Sequence, residues 1–329
     1  MRPVRPLLLA SVAFLGCSAP AGAPVEFTVP AGATFATAVD SLEARGVVAH
    51  PIGFRAYARL RNADRRIHAG RYRMTPGTPW SEILDALTEG RVVTVRMTVP
   101  EGYRLPQIAP RIAGVSQASE EAVLTALRQP GVEEAFGVPG PGLEGYLFPD
   151  TYVFASGVPV RSVMQAMTRR YHDVWTLERR ARLDSLGMTE RELVTLASIV
   201  QAEARQAEEM PRIASVYHNR LRRGWLLQAD PTVLYALGGY RERLLFAAID
   251  SVADSPYNTY RQPGLPPGPI GAPGEQAIQA ALYPAEEPFL YFVAWPDGTH
   301  AFSRTLAEHN RAIAASRRQR AEARGSLGR

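Results

Sequence analysis

Apolar residues recur at helical spacing over Phe35, Ala38, Val39 and Leu42, with Gly46 as a stop, and a second short helix fits about Phe54 to Arg61. Phe27-Thr28-Val29 and Gly70 to Met74 read as strands on either side of these helices. Ile83, Leu84 and Leu87 share one face of a helix led by Thr78-Pro79-Trp80 and ended by Gly90. Val92 to Val99 then alternates as a strand, and Pro100-Glu101-Gly102 turns the chain. These elements make a small strand and helix module over residues 27–100.

The rest of the chain is richer in helix. The patterns predict helices over about Leu105 to Ile112, Glu120 to Leu127, Arg161 to Leu183, Glu190 to Glu208, Met210 to Arg222 and Glu275 to Leu282. Leu290 to Trp295 reads as a strand, and a last helix starts at Thr305 and frays in the Arg-rich tail, residues 317–329. Gly/Pro-rich segments at Gly137 to Gly142 and Ser255 to Gly274 predict loops of fixed, non-regular path. The fold class is therefore α+β, with the small module followed by a larger, helix-rich mixed domain over residues 101–316.

The first residues follow a different pattern. Arg2 and Arg5 precede a short apolar run, Leu7 to Leu15, then Gly16-Cys17. This is the layout of a secretory signal over residues 1–17, and the run is shorter than the roughly 20 residues that span a bilayer. Phe14-Leu15-Gly16-Cys17 is similar to a lipobox, with Phe14 where leucine is commoner and Cys17 as the residue for lipid attachment. Lipid attachment, ordinary signal cleavage and an uncleaved anchor all place the body outside the cytoplasm. Residues 18–26 then form a short linker.

Composition narrows the chemistry. All 37 basic residues are arginine, and the formal net charge is +5 in 329 residues. Without lysine there is no Schiff-base nucleophile, no Ser-x-x-Lys hydrolase and no P-loop. Cys17 is the sole cysteine, so intrachain disulfides and cysteine-based zinc sites are excluded. His300 and His309 lie nine apart and no His-Glu-x-x-His occurs, so no metal is expected. No cofactor or nucleic-acid partner is called for.

One helix holds candidate chemistry. Thr189 and Glu192 form a capping box, and Leu193, Leu196, Ala197 and Val200 then mark a buried stripe. Glu203 falls on the flank of that stripe. Partial desolvation there raises a carboxyl pKa, as a general acid near neutral pH requires. Spacing alone leaves two alternatives open: Glu203 paired with Arg205 or Arg212, and Glu208, on the opposite flank, as the acid.

Wider motifs bear on that choice. The segments are Leu196 to Ala204, Ala214 to Leu221, Leu227 to Val233, Tyr257 to Tyr260, Gly264 to Ile270 and Leu143 to Tyr152. With Thr299 to Ser303 and Glu308-His309-Asn310, they resemble, in order, the MltG/YceG family of endolytic murein transglycosylases. The resemblance implies an N-terminal module that is LysM-like and a catalytic glutamate at Glu203. It departs at Gln201, where relatives often have a second glutamate, and at the N-terminus, where they usually have a transmembrane helix.

The implied reaction needs one carboxyl. Glu203 protonates the oxygen between N-acetylmuramic acid and N-acetylglucosamine, then takes the proton of the muramyl 6-hydroxyl as a 1,6-anhydro ring closes. Gln228 and Asp230 are expected to bind or position sugar, although Asp230 serves equally well as the N-cap of a following helix. Tyr257, Asn258 and Tyr260 suit sugar binding in their loop, against packing within it. His218 is read as structural, and Glu144 and Asp150 as orienting groups. The implied partners are peptidoglycan strands, the membrane through the N-terminal anchor, and peptidoglycan synthases. A lipid-anchored protein that binds peptidoglycan without cutting it, and a hydrolase that leaves reducing ends, are the rival readings. A lyase acting on aminodeoxychorismate through pyridoxal phosphate is excluded by the missing lysine.

Overall fold

A computed structural model describes residues 22–239 and 246–326. Their contacts separate into two units, one running to Val95 with residues 155–157, the other holding Arg96–Phe154 and the chain from Val158 onward. In the first unit, β1 (Val25–Val29) pairs antiparallel with β2 (Gly70–Met74). Phe27 faces Tyr72 in that ladder and their rings stack at 5.5 Å. Between the strands lie α1 (Phe35–Ala44) and α2 (Pro51–Leu60), and α3 (Trp80–Glu89) follows. Thr34 caps α1 through the Thr37 amide, and Gly90 closes α3 in the left-handed conformation. Leu42, Phe54, Tyr72, Ile83 and Leu87 form the centre of this unit's core.

Strand β3 (Thr94–Thr98) pairs with β4 (Thr151–Ala155). In the second unit, α4 (Leu105–Ser116), α5 (Glu120–Leu127) and α6 (Val132–Phe136) precede β4. After it come α7 (Val160–Val174), α8 (Leu177–Leu186), α9 (Glu190–Glu203), α10 (Met210–Arg222), α11 (Asp230–Ala236) and α12 (Phe246–Asp250). The chain ends with α13 (Glu275–Leu282), the antiparallel pair β5 (Tyr291–Ala294) and β6 (His300–Ser303), and α14 (Leu306–Ser326). The fold is α+β, with helices dominating and strands confined to two-stranded sheets.

Helix α9 is the axis of the second unit. Its capping box forms as expected, with the Thr189 amide on the Glu192 carboxylate and the Glu192 amide on the Thr189 hydroxyl. Every residue from Leu193 to Val200 is buried, so the helix is enclosed on all sides and packs on α10 and α13. Two of its polar groups fix the Gly/Pro-rich loop ahead of α13. Ser198 Oγ accepts the Ile270 amide at 3.0 Å, and Gln201 Oε1 accepts the Gly274 amide at 3.0 Å. Gln201 is thus a structural clasp.

The same loop explains Gly145. Its φ is +84°, and a Cβ there would lie 2.4 Å from Cβ of Pro269. Gly145→Ala is expected to lower stability by about 2–4 kcal/mol, from the left-handed backbone and the overlap together. A urea unfolding midpoint left unchanged would contradict this.

Three helical expectations are corrected. The helix expected over 161–183 is broken between Val174 and Leu177, because Thr176 caps a new helix through the Arg179 amide. The helix expected to reach Glu208 stops at Glu203. Ala204 is extended (φ −72°, ψ 127°), and Ala207–Glu209 forms a separate 3-10 turn leading into α10. The Arg-rich tail does not fray where expected: α14 continues to Ser326. Ser316 and Arg320 donate to the Ala294 carbonyl and tie that helix to β5. Strand β4 starts at the end of the Leu143 to Tyr152 motif and runs past it, and β6 lies inside the Thr299 to Ser303 motif; neither strand is predicted from the pattern.

Candidate active site

The end of α9 delivers Glu203 into a cleft of about 520 Å³. Glu203, Tyr217, Arg220, Gln228, Asp230, Tyr260, Tyr291 and His309 line it, with strand β5 and helix α14 along one side. Glu203 is half-buried. Its Oε1 accepts the Tyr217 hydroxyl at 2.9 Å. Tyr217 is buried on α10, with its ring edge-on to Phe292.

The electrostatics favour a proton on Glu203. Loss of water is the largest influence, the Asp230 carboxylate adds to it, and the Tyr217 hydroxyl and Arg220 act in the opposite sense. The balance pushes the Glu203 carboxyl up to about 7. Its position as the last residue of α9 works in the same direction, since the negative end of a helix disfavours an anion. The site can therefore donate a proton at neutral pH and take one back soon afterwards.

Arg220 frames the cleft. Its Nε donates to the Leu290 carbonyl at 2.8 Å and one terminal nitrogen to the Leu227 carbonyl at 2.6 Å. It thereby ties the entrance of β5 to the segment carrying Gln228. Gln228 has φ +48°, unusual for a side chain of this size, while Leu227 and Ala229 on either side are buried. The Thr259 carbonyl accepts the Gln228 amide and the Thr259 hydroxyl accepts the Ala229 amide, which holds the strained segment in place. Asp230 Oδ1 accepts the Tyr260 hydroxyl at 2.5 Å.

Glu203, Gln228, Asp230 and Tyr260 thus meet in one cleft. Tyr257 and Asn258 do not join them. Tyr257 turns the other way and packs on Tyr235, ring centroids 4.8 Å apart. Asn258 is fully buried; its amide donates to the Ile249 and Val252 carbonyls and its oxygen accepts the Tyr260 amide. It shapes the loop and has no capacity left for a sugar. Asp230 is no N-cap: it is the first residue of α11, and Ala229 occupies the cap position. Glu208 is exposed in the 3-10 turn and lines a different groove, with Glu101, Arg179 and Glu275. Arg212 pairs with Glu287, leaving Glu203 to Tyr217. His218 is buried and its Nε2 lies 2.9 Å from the Ala281 carbonyl. Cys17 lies outside the described residues.

Sequence reasoning missed Tyr217, Arg220, Tyr291 and His309. The first two sit within the Ala214 to Leu221 motif, which was the available signal; their burial appears only in the structure. Among the described residues no group of three or more His, Cys, Asp or Glu side chains is placed to hold a metal ion.

Fold and cleft together define an α+β protein with one partly desolvated acid at a helix end, in an open polar cleft. The YceG-like family matches residues 27–315, and the chain belongs to that family. It is 33% identical over 307 residues to the endolytic murein transglycosylase of Bacillus subtilis, an alignment covering 88% of this chain and 83% of that protein. It is 31% identical to the endolytic murein transglycosylase of Streptococcus pneumoniae, covering 88% of this chain and 58% of the relative. The crystal structure of a YceG-like protein from Listeria monocytogenes superposes with a TM-score of 0.60 at 34% identity, covering 88% of this chain and 98% of the other.

Proposed function

We propose that this protein is a peptidoglycan transglycosylase of the lytic type, with Glu203 as acid and then base. The observation that carries the proposal is a single carboxyl held at about 7 in a cleft open enough for sugar rings. In the forward step Glu203 gives its proton to the oxygen leaving C1 of N-acetylmuramic acid. The resulting carboxylate, still beside the Tyr217 hydroxyl, takes the proton of the muramyl 6-hydroxyl as that oxygen bonds to C1. The product ends are 1,6-anhydro rings and no water enters. Gln228, Asp230 and Tyr260 hold the sugars on either side of the bond. The naming of the relatives supports cleavage inside strands, and a role in ending or trimming nascent strands is part of the proposal.

Asp230 favours one second reading. A carboxylate facing Glu203 across the cleft is the partner a hydrolase needs to activate water. Mass spectrometry of digested, uncrosslinked strands separates the two: anhydro ends are lighter by one water than the reducing ends of hydrolysis. Reducing ends alone would overturn the lytic assignment, and no new ends of either kind would favour a protein that only binds peptidoglycan.

The first unit is proposed as the LysM-like, strand-holding module, and Cys17 as the lipid anchor to the membrane beside peptidoglycan synthases. No helix among the described residues is long and apolar enough to cross a membrane.

A further inference from the structure

The Glu203 cleft has two unlike sides. One, from α9, α10 and the segments around Asp230 and Tyr260, carries Glu203, Arg220 and Asp230. The other is built largely from β5 and α14, and the residues these two elements contribute hold no acid and no arginine. Burial, and then Arg220, keep His309 below its ordinary 6.5, so this side is neutral near pH 7. Leu306, His309, Asn310 and Ile313 stand at i, i+3, i+4 and i+7 on α14 and share the helix face turned to the cleft.

That face is fixed at both ends. Thr305 Oγ1 accepts the Glu308 amide at 3.2 Å, and the Glu308 carboxylate accepts the Arg304 and Thr305 amides at 2.9 and 3.2 Å, a capping box that sets the first turn. Further along, Ser316 and Arg320 hold α14 on the Ala294 carbonyl. His309 is engaged by Tyr291, ring centroids 5.1 Å apart. Leu306 and Asn310 are the members left open. Leu306 is 56% exposed, and the exposed Asn310 amide meets no partner among the described residues. Glu308-His309-Asn310, a motif with no part in the acid–base step, thus divides into a cap, a packed ring and an open amide.

An amide offers a donor and an acceptor together, as a peptide bond does, and here it stands beside apolar side chains. The strand carries one group of that chemistry: the 3-O-lactyl arm of muramic acid, with a peptide joined to it through an amide. Ring geometry directs this arm away from Glu203. In a pyranose, C3 lies across the ring from the ring oxygen, and the ring oxygen joins C1 to the carbon that bears C6. A muramyl ring that offers both its C1 oxygen and its 6-hydroxyl to Glu203 therefore turns its 3-O-lactyl arm to the other side of the cleft. On the Glu203 side the Asp230 carboxylate would also repel the acidic groups of the peptide.

We propose that the Leu306 and Asn310 face of α14 binds the peptide-bearing lactyl arm of the muramyl residue at the scissile bond, so that the protein distinguishes peptide-bearing strands from bare ones. The inference rests on the proposed function, because the orientation of the ring follows from the two contacts given there to Glu203. Leu306 and the half-buried Ile313 take the lactyl methyl and the first side chain of the peptide. Asn310 pairs with a peptide N–H and C=O.

The test divides one preparation of uncrosslinked strands and strips half of it with an amidase that cuts the lactyl amide. KM and kcat are measured on both halves for wild type, Leu306→Ser and Asn310→Ala, and thermal melts check the fold at these two exposed positions. Wild type is expected to show a KM about tenfold lower for peptide-bearing strands. Each variant is expected to raise that KM about five- to tenfold with kcat retained, while KM for bare strands moves by less than about twofold. Equal KM for the two substrates in wild type overturns the inference and leaves cleavage by Glu203 standing. Losses of equal size on both substrates overturn it too, because the face would then touch the sugars themselves. A wild type that releases no ends from either substrate removes this inference together with the reading of the cleft.

Discussion

Glu203→Gln is expected to reduce strand cleavage by about 10³–10⁴-fold, with the fold retained. The carboxyl is asked to act twice, as acid towards the leaving oxygen and as base towards the muramyl hydroxyl, and a positioned acid–base group contributes about 10²–10⁴. An upper-end loss corresponds to about 5 kcal/mol of transition-state stabilisation. The fold should survive because the amide oxygen of Gln can still accept the Tyr217 hydroxyl that Glu203 accepts at 2.9 Å. Desolvation also opposes the charge of Glu203, so the neutral amide relieves a cost. Release of muropeptide ends from purified strands, quantified by chromatography, measures the rate. Cleavage at an undiminished rate would shift the chemistry to another carboxyl. Asp230 would be the first choice, as the other carboxylate in the cleft, whereas Glu208 is exposed and elsewhere.

The same residue shows what the sequence could and could not disclose. A capping box, a buried stripe and a carboxyl on its flank are local features, written within fifteen residues of α9, and the structure reproduces them. What spacing could not decide was which glutamate lay in a cleft. That depended on where the helix stopped, and Ala204 to Glu209 is made of good helix formers; the turn there is set by the packing of α9 on α10 and α13. Tyr217, fourteen residues onward, reaches Glu203 only because two helices meet. Asp230 meets Tyr260 from thirty residues away in the chain. For Tyr257, Asn258 and Tyr260 the sequence leaves sugar binding and packing within the loop both open, and the structure gives each a different place. A non-regular loop must satisfy its own backbone, and Asn258 is consumed in doing so.

Cleavage is expected to decline as pH rises through about 7, falling about 30-fold by pH 8.5. The form that starts the reaction is the protonated Glu203, whose carboxyl is pushed up to about 7, and beyond that value its population drops tenfold per pH unit. Stability should move in the same direction for this residue. Its folded pKa lies above the ordinary 4.5, so between those values the folded chain binds the extra proton and the unfolded chain does not. Stability from this group is then complete below about pH 4.5 and is lost as pH rises through about 7. The full displacement corresponds to at most about 3 kcal/mol, of which about 2–3 kcal/mol falls between pH 5 and pH 8.5. Glu144, also pushed up to about 7, adds a contribution of the same sign. His218 and His309 are held below their ordinary 6.5 by burial, and act oppositely, since an unfolded chain binds their protons more readily as pH falls. The total pH dependence mixes these effects, so the informative quantity is the difference between wild type and Glu203→Gln. The variant is expected to gain about 2–3 kcal/mol relative to wild type between pH 5 and pH 8.5 in urea unfolding, while losing cleavage at both. A wild-type rate that climbs steadily from pH 6 to 8.5 would mean that Glu203 works from the ionised form first. A stability difference independent of pH would mean that water reaches this carboxyl freely.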